Sequence, residues 1–547
     1  MPSGPVLPPG ITLTGSTQGP RGRSITASRP CAPGDIIATF TPSPESPSLA
    51  IPDSPHLSQA CSHCLAAAPS RASDRKLRAC TACKTVSYCD PACQRADWPT
   101  HKAECKVFQR MRARGLGVLP TPSRALVQVL LRPQLHAALA DLQGHVNAFQ
   151  RDAKTRSDLE LQAMAALHYM GRDVNALSMN SAVEILCKLQ VNAFNRLDED
   201  IGQSGLFMNP GLAMVNHSCV PNAYVQFIGS AAILHASQEI GEGEEVEISY
   251  IECNLHKSHR QEALETRYQF RCSCARCRDD LDVYQVCQKH SHLELNTFSL
   301  VTDLLRLRHP PIRTFLNSNK MLQDTVEEIY PSCSGALLDD SSEDKETQLR
   351  QRWRATKELR KAGLFAIEPL NQALVEANIY FTEREKFAYS LAIACFLALH
   401  TNPYTAPMPF APQRVKGMLI VAKLLANTAP INSTTEKVAE TRPLETRILH
   451  ALSEMDQATI CQVVLGFVIH YNRVGYSSEG RVYQEAMELL SDLEAAPGRD
   501  AEQALVKAFF RNPKGAEQSL FLNTVVLNPI STLSQLAMDV METEFGR

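Results

Sequence analysis

Apolar and polar positions change their period several times along this chain of 547 residues. Between residues 10 and 40 short apolar runs at 11–14, 24–27 and 36–40 are separated by Gly and Pro, and Pro33-Gly34-Asp35 is a strong turn signal, so a small hairpin unit is expected. Residues 41–59 repeat Ser and Pro and read as a connector that cannot hold a helix. After a cysteine-rich stretch at 61–105 the period becomes helical, at 123–149, 157–170 and 178–189. In the last of these Ser178 is placed as N-cap, with Val183, Leu186 and Leu189 on one apolar face. Strand-like runs return at 223–228, 231–236 and 245–250. Beyond Leu281 the pattern is helical again, at 298–307, 344–362, 369–380, 383–399, 414–425, 443–471 and 481–495, broken by Pro-rich turns such as Asn402-Pro403-Tyr404. The acidic segment 338–346 reads as an exposed loop, and no strict repeat of about 34 residues marks a solenoid. The fold class expected is α+β multidomain: a β-rich domain interrupted by a metal-binding unit and a helical segment, then a helical C-terminal domain.

A chain this long exceeds one compact core, and roughly two to four domains follow from length. Hydrophobic residues at 44% and charged residues at 21% describe a globular protein, and a net charge of -3 gives no whole-protein field to recruit nucleic acid or an anionic membrane. The first ten residues lack the basic start and apolar run of a secretory signal, and the longest apolar stretch, 388–399, is about half of what a bilayer crossing needs. The expectation is a soluble intracellular protein, in the nucleus, the cytoplasm or both, with no membrane partner. In a reducing compartment eighteen cysteines point to metal rather than disulfides wherever their spacing is close.

That spacing is close in two places. Cys61-x2-Cys64, Cys80-x2-Cys83, Cys89-x3-Cys93 and His101-x3-Cys105 supply eight thiolate or imidazole ligands, enough for two four-coordinate zinc ions. A metal-free stretch of this length buries too little core to fold, so zinc would supply most of its folding energy. His101 and Cys105 fall one turn apart on a helical pattern at 101–108 and can reach one ion. Spacing alone leaves open whether the ligands pair sequentially or interleave. The second constellation, Cys272-x-Cys274-x2-Cys277, offers three thiolates and lacks a fourth, which Cys219 at the end of Asn216-His217-Ser218-Cys219 can provide. A buried Cys219 thiol is the bland alternative, and it leaves the three-cysteine motif unclosed. Cys287, His290 and His292 form a looser group read as structural, and Cys31, Cys187, Cys253, Cys333, Cys395 and Cys461 read as isolated thiols.

The first constellation, with its Tyr88-Cys89 step and Trp98-x2-His101 approach, resembles the MYND zinc finger. The resemblance implies interleaved pairing, Cys61, Cys64, Cys89 and Cys93 on one zinc and Cys80, Cys83, His101 and Cys105 on the other. Four further motifs, in order, resemble the SET core and post-SET segment of protein methyltransferases. They are Gly22, Asn216-His217-Ser218-Cys219-x-Pro221-Asn222, Gly243-Glu244-Glu245-x3-Ser249-Tyr250, and Tyr268-x-Phe270-x-Cys272-x-Cys274-x2-Cys277. Together the motifs, which span roughly residues 10 to 280, make the chain similar to the SET and MYND-domain lysine methyltransferases. The layout this implies is an N-terminal SET portion at 10–45, a MYND finger at 61–105, a helical insertion at 120–190, the catalytic core at 191–252, a post-SET zinc segment at 268–280 and a helical domain at 285–547.

By the same resemblance the cofactors are S-adenosylmethionine and three zinc ions. Arg21 and Gly22 lie in the loop that approaches S-adenosylmethionine, Asn192, Asn216 and His217 hold it, and Phe270 packs by its adenine. Gly permits close backbone approach and Asn offers both donor and acceptor. Pro20 stands where the family loop has its first glycine, with Gly19 just before it. Methyl transfer from a sulfonium to an amine is an in-line displacement, so alignment and a neutral nitrogen are the main requirements. Lysine starts near pKa ~10.4, so desolvation and the cationic donor must help it lose its proton. Tyr250 is the residue expected to orient that nitrogen, and Tyr268 is expected to line an aromatic lysine channel. A tyrosine alone would read as a half-buried sheet residue; the flanking motifs favour catalysis.

Residues 71–114 carry eleven Lys or Arg against four Asp or Glu. Phosphate attraction is allowed by this excess, but no base-reading helix is evident, so nucleic acid is not the favoured partner. The expected partners are a protein with an accessible lysine and, at the finger, a proline-rich peptide bound near exposed aromatics around Tyr88 and Trp98. The competing class is an interaction protein or transcription-regulatory scaffold with little turnover.

Overall fold

The computed structural model describes residues 5–15, 22–66, 77–198, 202–333, 342–428, 443–475 and 480–546. Its contacts divide the chain into two units, one of residues 1–251 and 261–272, the other of 252–260 and 273–547.

In the first unit β1 (Ile11–Gly15) pairs antiparallel with β2 (Arg23–Ala27). Two more strands, β3 (Ile36–Phe40) and β4 (Leu49–Pro52), precede the cysteine-rich region. That region holds a short hairpin, β5 (Arg78–Ala79) and β6 (Ser87–Tyr88), and the long helix α1 (Pro91–Ala113), whose first turn is closed by Asp90 accepting from the Cys93 amide. Five helices follow: α2 (Thr121–Leu131), α3 (Pro133–Ala138), α4 (Val146–Arg151), α5 (Ala153–Met170) and α6 (Ala176–Asn192). The chain then returns to strands, β7 (Phe194–Asp198), β8 (Gly202–Met208), β9 (Asn216–His217), β10 (Ala223–Ile228), β11 (Ala231–Ala236) and β12 (Glu247–Ile248), before α7 (Lys257–Tyr268).

Strands from before the finger find their partners after it. β3 lies beside β11 in the order β10-β11-β3, and β4 lies beside β8 in the order β4-β8-β7. Burial along β3 departs from strict alternation: Ile36 faces water while Ile37, Ala38 and Phe40 are buried with Leu49, Phe207, Met208, Leu212 and Leu234, and the β3–β11 register shifts between Leu234 and His235. β9 and β12 are only two residues long each and pair in parallel, Asn216 opposite Glu247 and His217 opposite Ile248.

Several expectations change in detail. Residues 41–59 hold no α-helix, but they do hold one 3-10 turn, Ser54–His56, and β4, since Leu49 and Ile51 bury against β8 despite the surrounding Ser and Pro. The helical run at 123–149 is three helices, because Pro133 removes an amide donor and holds Arg132 in extended backbone. Ser178 is not the cap of α6: Asn175 caps it by accepting from the Ser178 amide at 3.0 Å, and Ser178 Oγ accepts from the Asn175 amide at 3.1 Å. The strand expected at 245–250 shrinks to β12, and β7 and β8 were not anticipated.

The second unit is helical through its described residues. The helix Phe387–His400, apolar on nearly every side, is buried among Leu370–Glu383, Pro412–Thr428 and Asn528–Phe545. Residues 443–471 form two helices, Pro443–Ser453 and Gln457–Gly475, and the 298–307 pattern yields only Leu304–Arg308. Helices at Lys320–Cys333, Asp500–Arg511 and Asn528–Phe545 add to those the periodicity suggested. Of the acidic segment 338–346, residues 338–341 lie outside the described residues and 342–346 open the helix Ser342–Ala355, which corrects the loop expectation. Among the described residues no single helix is long and apolar enough to cross a membrane.

Candidate active site

The finger's ligands converge in two interleaved groups. Cys61, Cys64, Cys89 and Cys93 form one, Cys80, Cys83, His101 and Cys105 the other, with the ligand atoms of each group within 4.8 Å of one another. Cys64 and Cys89 sulfurs are 3.5 Å apart, Cys80 and Cys105 sulfurs 4.0 Å, and Cys83 Sγ lies 3.6 Å from His101 Nε2. A tetrahedron of thiolates about zinc has edges of about 3.8 Å, so both groups fit the ion. The apolar filling around them is small, chiefly Leu57, Val86, Tyr88 and Phe108, which leaves folding of this region dependent on metal.

A buried polar chain orients His101. Its Nδ1 faces Glu104 Oε2 at 3.4 Å, and Glu104 Oε1 accepts from Arg124 Nε at 2.7 Å. Arg124, itself buried, also donates to the Pro52 carbonyl at 3.0 Å and lies over the Phe108 ring. Burial alone would push the Glu104 carboxyl up; the charge of Arg124 and the hydrogen bonds from His101 and Arg124 outweigh it and bring it down to about 2. An ionised carboxylate behind a ligand histidine fixes the ring's tautomer. The finger is thereby tied to α2 and β4.

A second constellation assembles from distant sequence. Asn216 Nδ2 donates to the Arg23 carbonyl at 3.1 Å and to Glu245 Oε1 at 2.9 Å. Beside Arg23, Gly22 has φ +71°, and among the described residues nothing lies within 4 Å of where a Cβ would project, so the backbone here can be approached closely by a ligand. Asn222 fastens β12 by donating to the Glu245 carbonyl and accepting from the Glu247 amide, at 2.9 and 2.8 Å.

Tyr250 is held at each of its polar groups. Its hydroxyl donates to the Val215 carbonyl at 2.6 Å, its amide donates to His217 Nδ1 at 3.1 Å, and its carbonyl accepts from the Tyr268 hydroxyl at 3.2 Å. The rings gather as well: Tyr250 lies 4.8 Å from Tyr268, 5.2 Å from His217 and 6.5 Å, edge to face, from Phe270, with His217 6.0 Å from Phe270. Burial raises the Tyr268 hydroxyl above its ordinary range, against the lowering effect of Arg267. Tyr268 therefore stays neutral near pH 7.

Asn192 sits at the C-terminal end of α6, and its amide donates to the Gln143 and Lys188 carbonyls at 2.8 Å each. Arg267 clasps the same corner through the carbonyls of Gln190 and Ala193, both at 2.9 Å, while its guanidinium covers the Tyr268 ring at 5.2 Å. Sequence reasoning passes over Arg267, Val215 and Glu245; Arg267 stands next to Tyr268 and Glu245 inside Gly-Glu-Glu, but neither type signals its task. Arg21 and Pro20 lie outside the described residues.

Cys219 and Cys272 belong to the first unit, with sulfurs 4.0 Å apart. Cys272 is held by Gln261, whose side chain accepts from its amide at 2.9 Å and donates to its carbonyl at 2.8 Å. Cys274 and Cys277 follow at the start of the second unit, where Arg260 Nη2 lies 3.8 Å from Cys277 Sγ. Cys287 is buried and turned to the Pro403 carbonyl at 3.6 Å. One surface expectation is corrected: Trp98 is exposed, but Tyr88 is buried with its hydroxyl on Asp97 at 2.7 Å, so it offers no face to a peptide.

Comparison with known proteins bears on both halves of this arrangement. The MYND finger family model matches residues 61–105. The chain is similar to SET domain and MYND-type zinc finger protein 6 of Schizosaccharomyces pombe, 36% identical over 229 residues that cover 42% of this chain and 45% of that protein. It is also similar to N-lysine methyltransferase SMYD2-A of Danio rerio, 31% identical over 211 residues, 37% of this chain and 47% of that one. The matches thus span about half the length of these curated relatives. A solved structure described as the SET domain of LSMT bound to lysine and AdoHcy aligns over 80% of this chain and 90% of that one, at 14% identity and a TM-score of 0.22.

Proposed function

We propose that this chain, a member of the SET and MYND-type zinc finger proteins, transfers a methyl group from S-adenosylmethionine to a lysine side chain of a protein. The observation that carries the proposal is Tyr250, fixed at hydroxyl, amide and carbonyl beside the Asn216-His217 strand and facing Tyr268 and Phe270. Its layout is a SET fold with the finger and helices between two halves, a reading supported by the pairing of β3 with β11 and β4 with β8. Three zinc ions are proposed, two in the finger and one on Cys219, Cys272, Cys274 and Cys277, the last supported by the Cys219 and Cys272 sulfurs at 4.0 Å and by the spacing of the other two. An intracellular setting and a protein partner at the finger, rather than nucleic acid, belong to the same reading.

The cofactor supplies an electrophilic methyl group on a sulfonium. Gly22, Asn216 and the backbone around His217 border its place, Phe270 offers a ring face to an adenine, and Arg21 and Asn192 complete the set. The Tyr250 hydroxyl donates its proton to the Val215 carbonyl, so toward a lysine N–H its oxygen acts as an acceptor, leaving the nitrogen lone pair to point elsewhere. Tyr268 and Phe270 exclude water and favour a methylated cationic amine by their ring faces. Fixing the nucleophile in this way is the main work an in-line displacement asks of a protein.

The test is methyl transfer from labelled S-adenosylmethionine to purified histones and to cell-extract proteins, with cofactor binding titrated in parallel. Transfer to lysine, lost in Tyr250→Phe, supports the reading. Cofactor binding without transfer to any protein would replace it with that of a MYND-based interaction protein.

A further inference from the structure

We propose that His217 is a positioning residue whose ring couples the zinc ligand Cys219 to the backbone of Tyr250 by holding one tautomer. The proposal rests on the reading above, in which Cys219 binds zinc and Tyr250 orients the lysine.

The argument starts from hydrogen-bond roles. The amide of Tyr250 can only donate, and it points at His217 Nδ1 from 3.1 Å. Nδ1 must therefore present a lone pair, and a neutral imidazole then carries its proton on Nε2. Nε2 lies 3.3 Å from Cys219 Sγ. A zinc-bound thiolate accepts and does not donate, so Nε2–H meets the one form of cysteine that matches it. Both ring nitrogens are thus committed inside the protein, and any contact of His217 with the cofactor falls to its backbone.

Packing keeps this orientation. The ring is buried, between Tyr250 at 5.2 Å and Phe270 at 6.0 Å. Turning it over would face carbon atoms to the Tyr250 amide and to Cys219, and the part-buried amide would lose its acceptor. Among the hydrogen bonds that fix Tyr250, those to Val215 and Tyr268 involve no metal ligand; the one through His217 does. Zinc at Cys219 consequently sets the acceptor strength at one end of a two-bond chain whose other end is the tyrosine backbone. A space-filling core histidine would need neither contact in a defined direction.

The experiment uses the zinc-loaded full chain labelled with 15N-histidine, the His217 ring assigned by its loss in His217→Asn. The expected spectrum is a neutral ring protonated at Nε2, and Cys219→Ser is expected to shift or average that signal. A ring protonated at Nδ1, or a signal indifferent to Cys219→Ser, overturns the proposal. Kinetics give the second readout. His217→Leu, which loses both bonds, is expected to lower kcat about tenfold while cofactor affinity stays within about twofold. His217→Asn, whose Oδ1 occupies the place of Nδ1, is expected to recover most of that turnover. Equal losses in the two variants overturn it too. If the wild type transfers no methyl group the enzymatic reading fails by itself, and the tautomer and its response to Cys219→Ser still decide the coupling.

Discussion

Tyr250 Oη donates a 2.6 Å hydrogen bond to the carbonyl of Val215, one residue before Asn216. The residue leading into the short strand that borders the cofactor's proposed place thus aims the tyrosine. Tyr250→Phe keeps the ring, its contacts with Tyr268 and Phe270, and both backbone hydrogen bonds. Packing and cofactor affinity are expected to change little, while the chemical step slows by about a hundredfold or more, the scale of a misplaced nucleophile. Single-turnover rates at saturating cofactor on a verified protein substrate measure this directly. An unchanged rate would remove Tyr250 from the mechanism.

Elemental analysis checks the metal content. The full chain is expected to retain three zinc ions after loosely bound metal is removed, and Cys219→Ala is expected to retain two. Because Cys219 stands two residues from His217, within the strand region that carries Asn216, the same variant is expected to weaken cofactor binding. Three zincs in Cys219→Ala would free this cysteine from the metal site.

The finger's ligands are legible in sequence because each pair sits within one turn or one tight loop, where spacing alone dictates geometry. Which pair shares an ion is a matter of the β5–β6 hairpin and α1, which carry Cys80 and Cys83 to His101 and Cys105, and spacing cannot decide it. Glu104 lies between His101 and Cys105 and in sequence looks like a solvated helix position; only the arrival of Arg124 from α2 makes it a buried acid. β4 is illegible for the opposite reason, since four residues among Ser and Pro carry no period and gain their place from β8. The wall around Tyr250 was signalled by motifs at 216–222 and 243–250, whereas the acceptor that aims it is a backbone carbonyl, which any residue type could supply.

The Glu104 and Arg124 pair supports a stability prediction. Arg124→Met preserves much of the side-chain volume but leaves a buried carboxylate behind His101 without its cation. The expected loss is about 3 to 5 kcal/mol, the range for breaking a buried ion pair. Denaturant unfolding followed by tryptophan fluorescence, together with zinc content, reports it. Adding Glu104→Gln to Arg124→Met is expected to restore part of the stability, because the stranded charge is then gone. A loss below about 1 kcal/mol in the single variant would mean the site tolerates that charge unaided.

Glu368, in the helical unit, gives a pH dependence with a definite sign. Burial pushes its carboxyl up to about 7, against the hydrogen bonds from the Asn371 amide and the Gln372 amide, and Glu252 and Glu376 add to the rise. An unfolded glutamate has a pKa of about 4.3. Between these values the folded protein keeps a proton that the unfolded chain releases. The stability this group contributes is therefore complete below the unfolded pKa and lost as pH rises through about 7, an effect on the order of 3 kcal/mol. Glu368→Gln stays neutral throughout. Its carbonyl can accept from the Gln372 amide, and its NH2 can donate to Asn371 Oδ1, a buried atom without a hydrogen-bond partner, once that amide turns over. The wild type is expected to lose stability relative to Glu368→Gln between pH 5 and pH 8, with other titrations cancelling in the difference. Melting temperatures of the two proteins across that range give the comparison, and parallel profiles would show that Glu368 is ionised in the folded state at both ends.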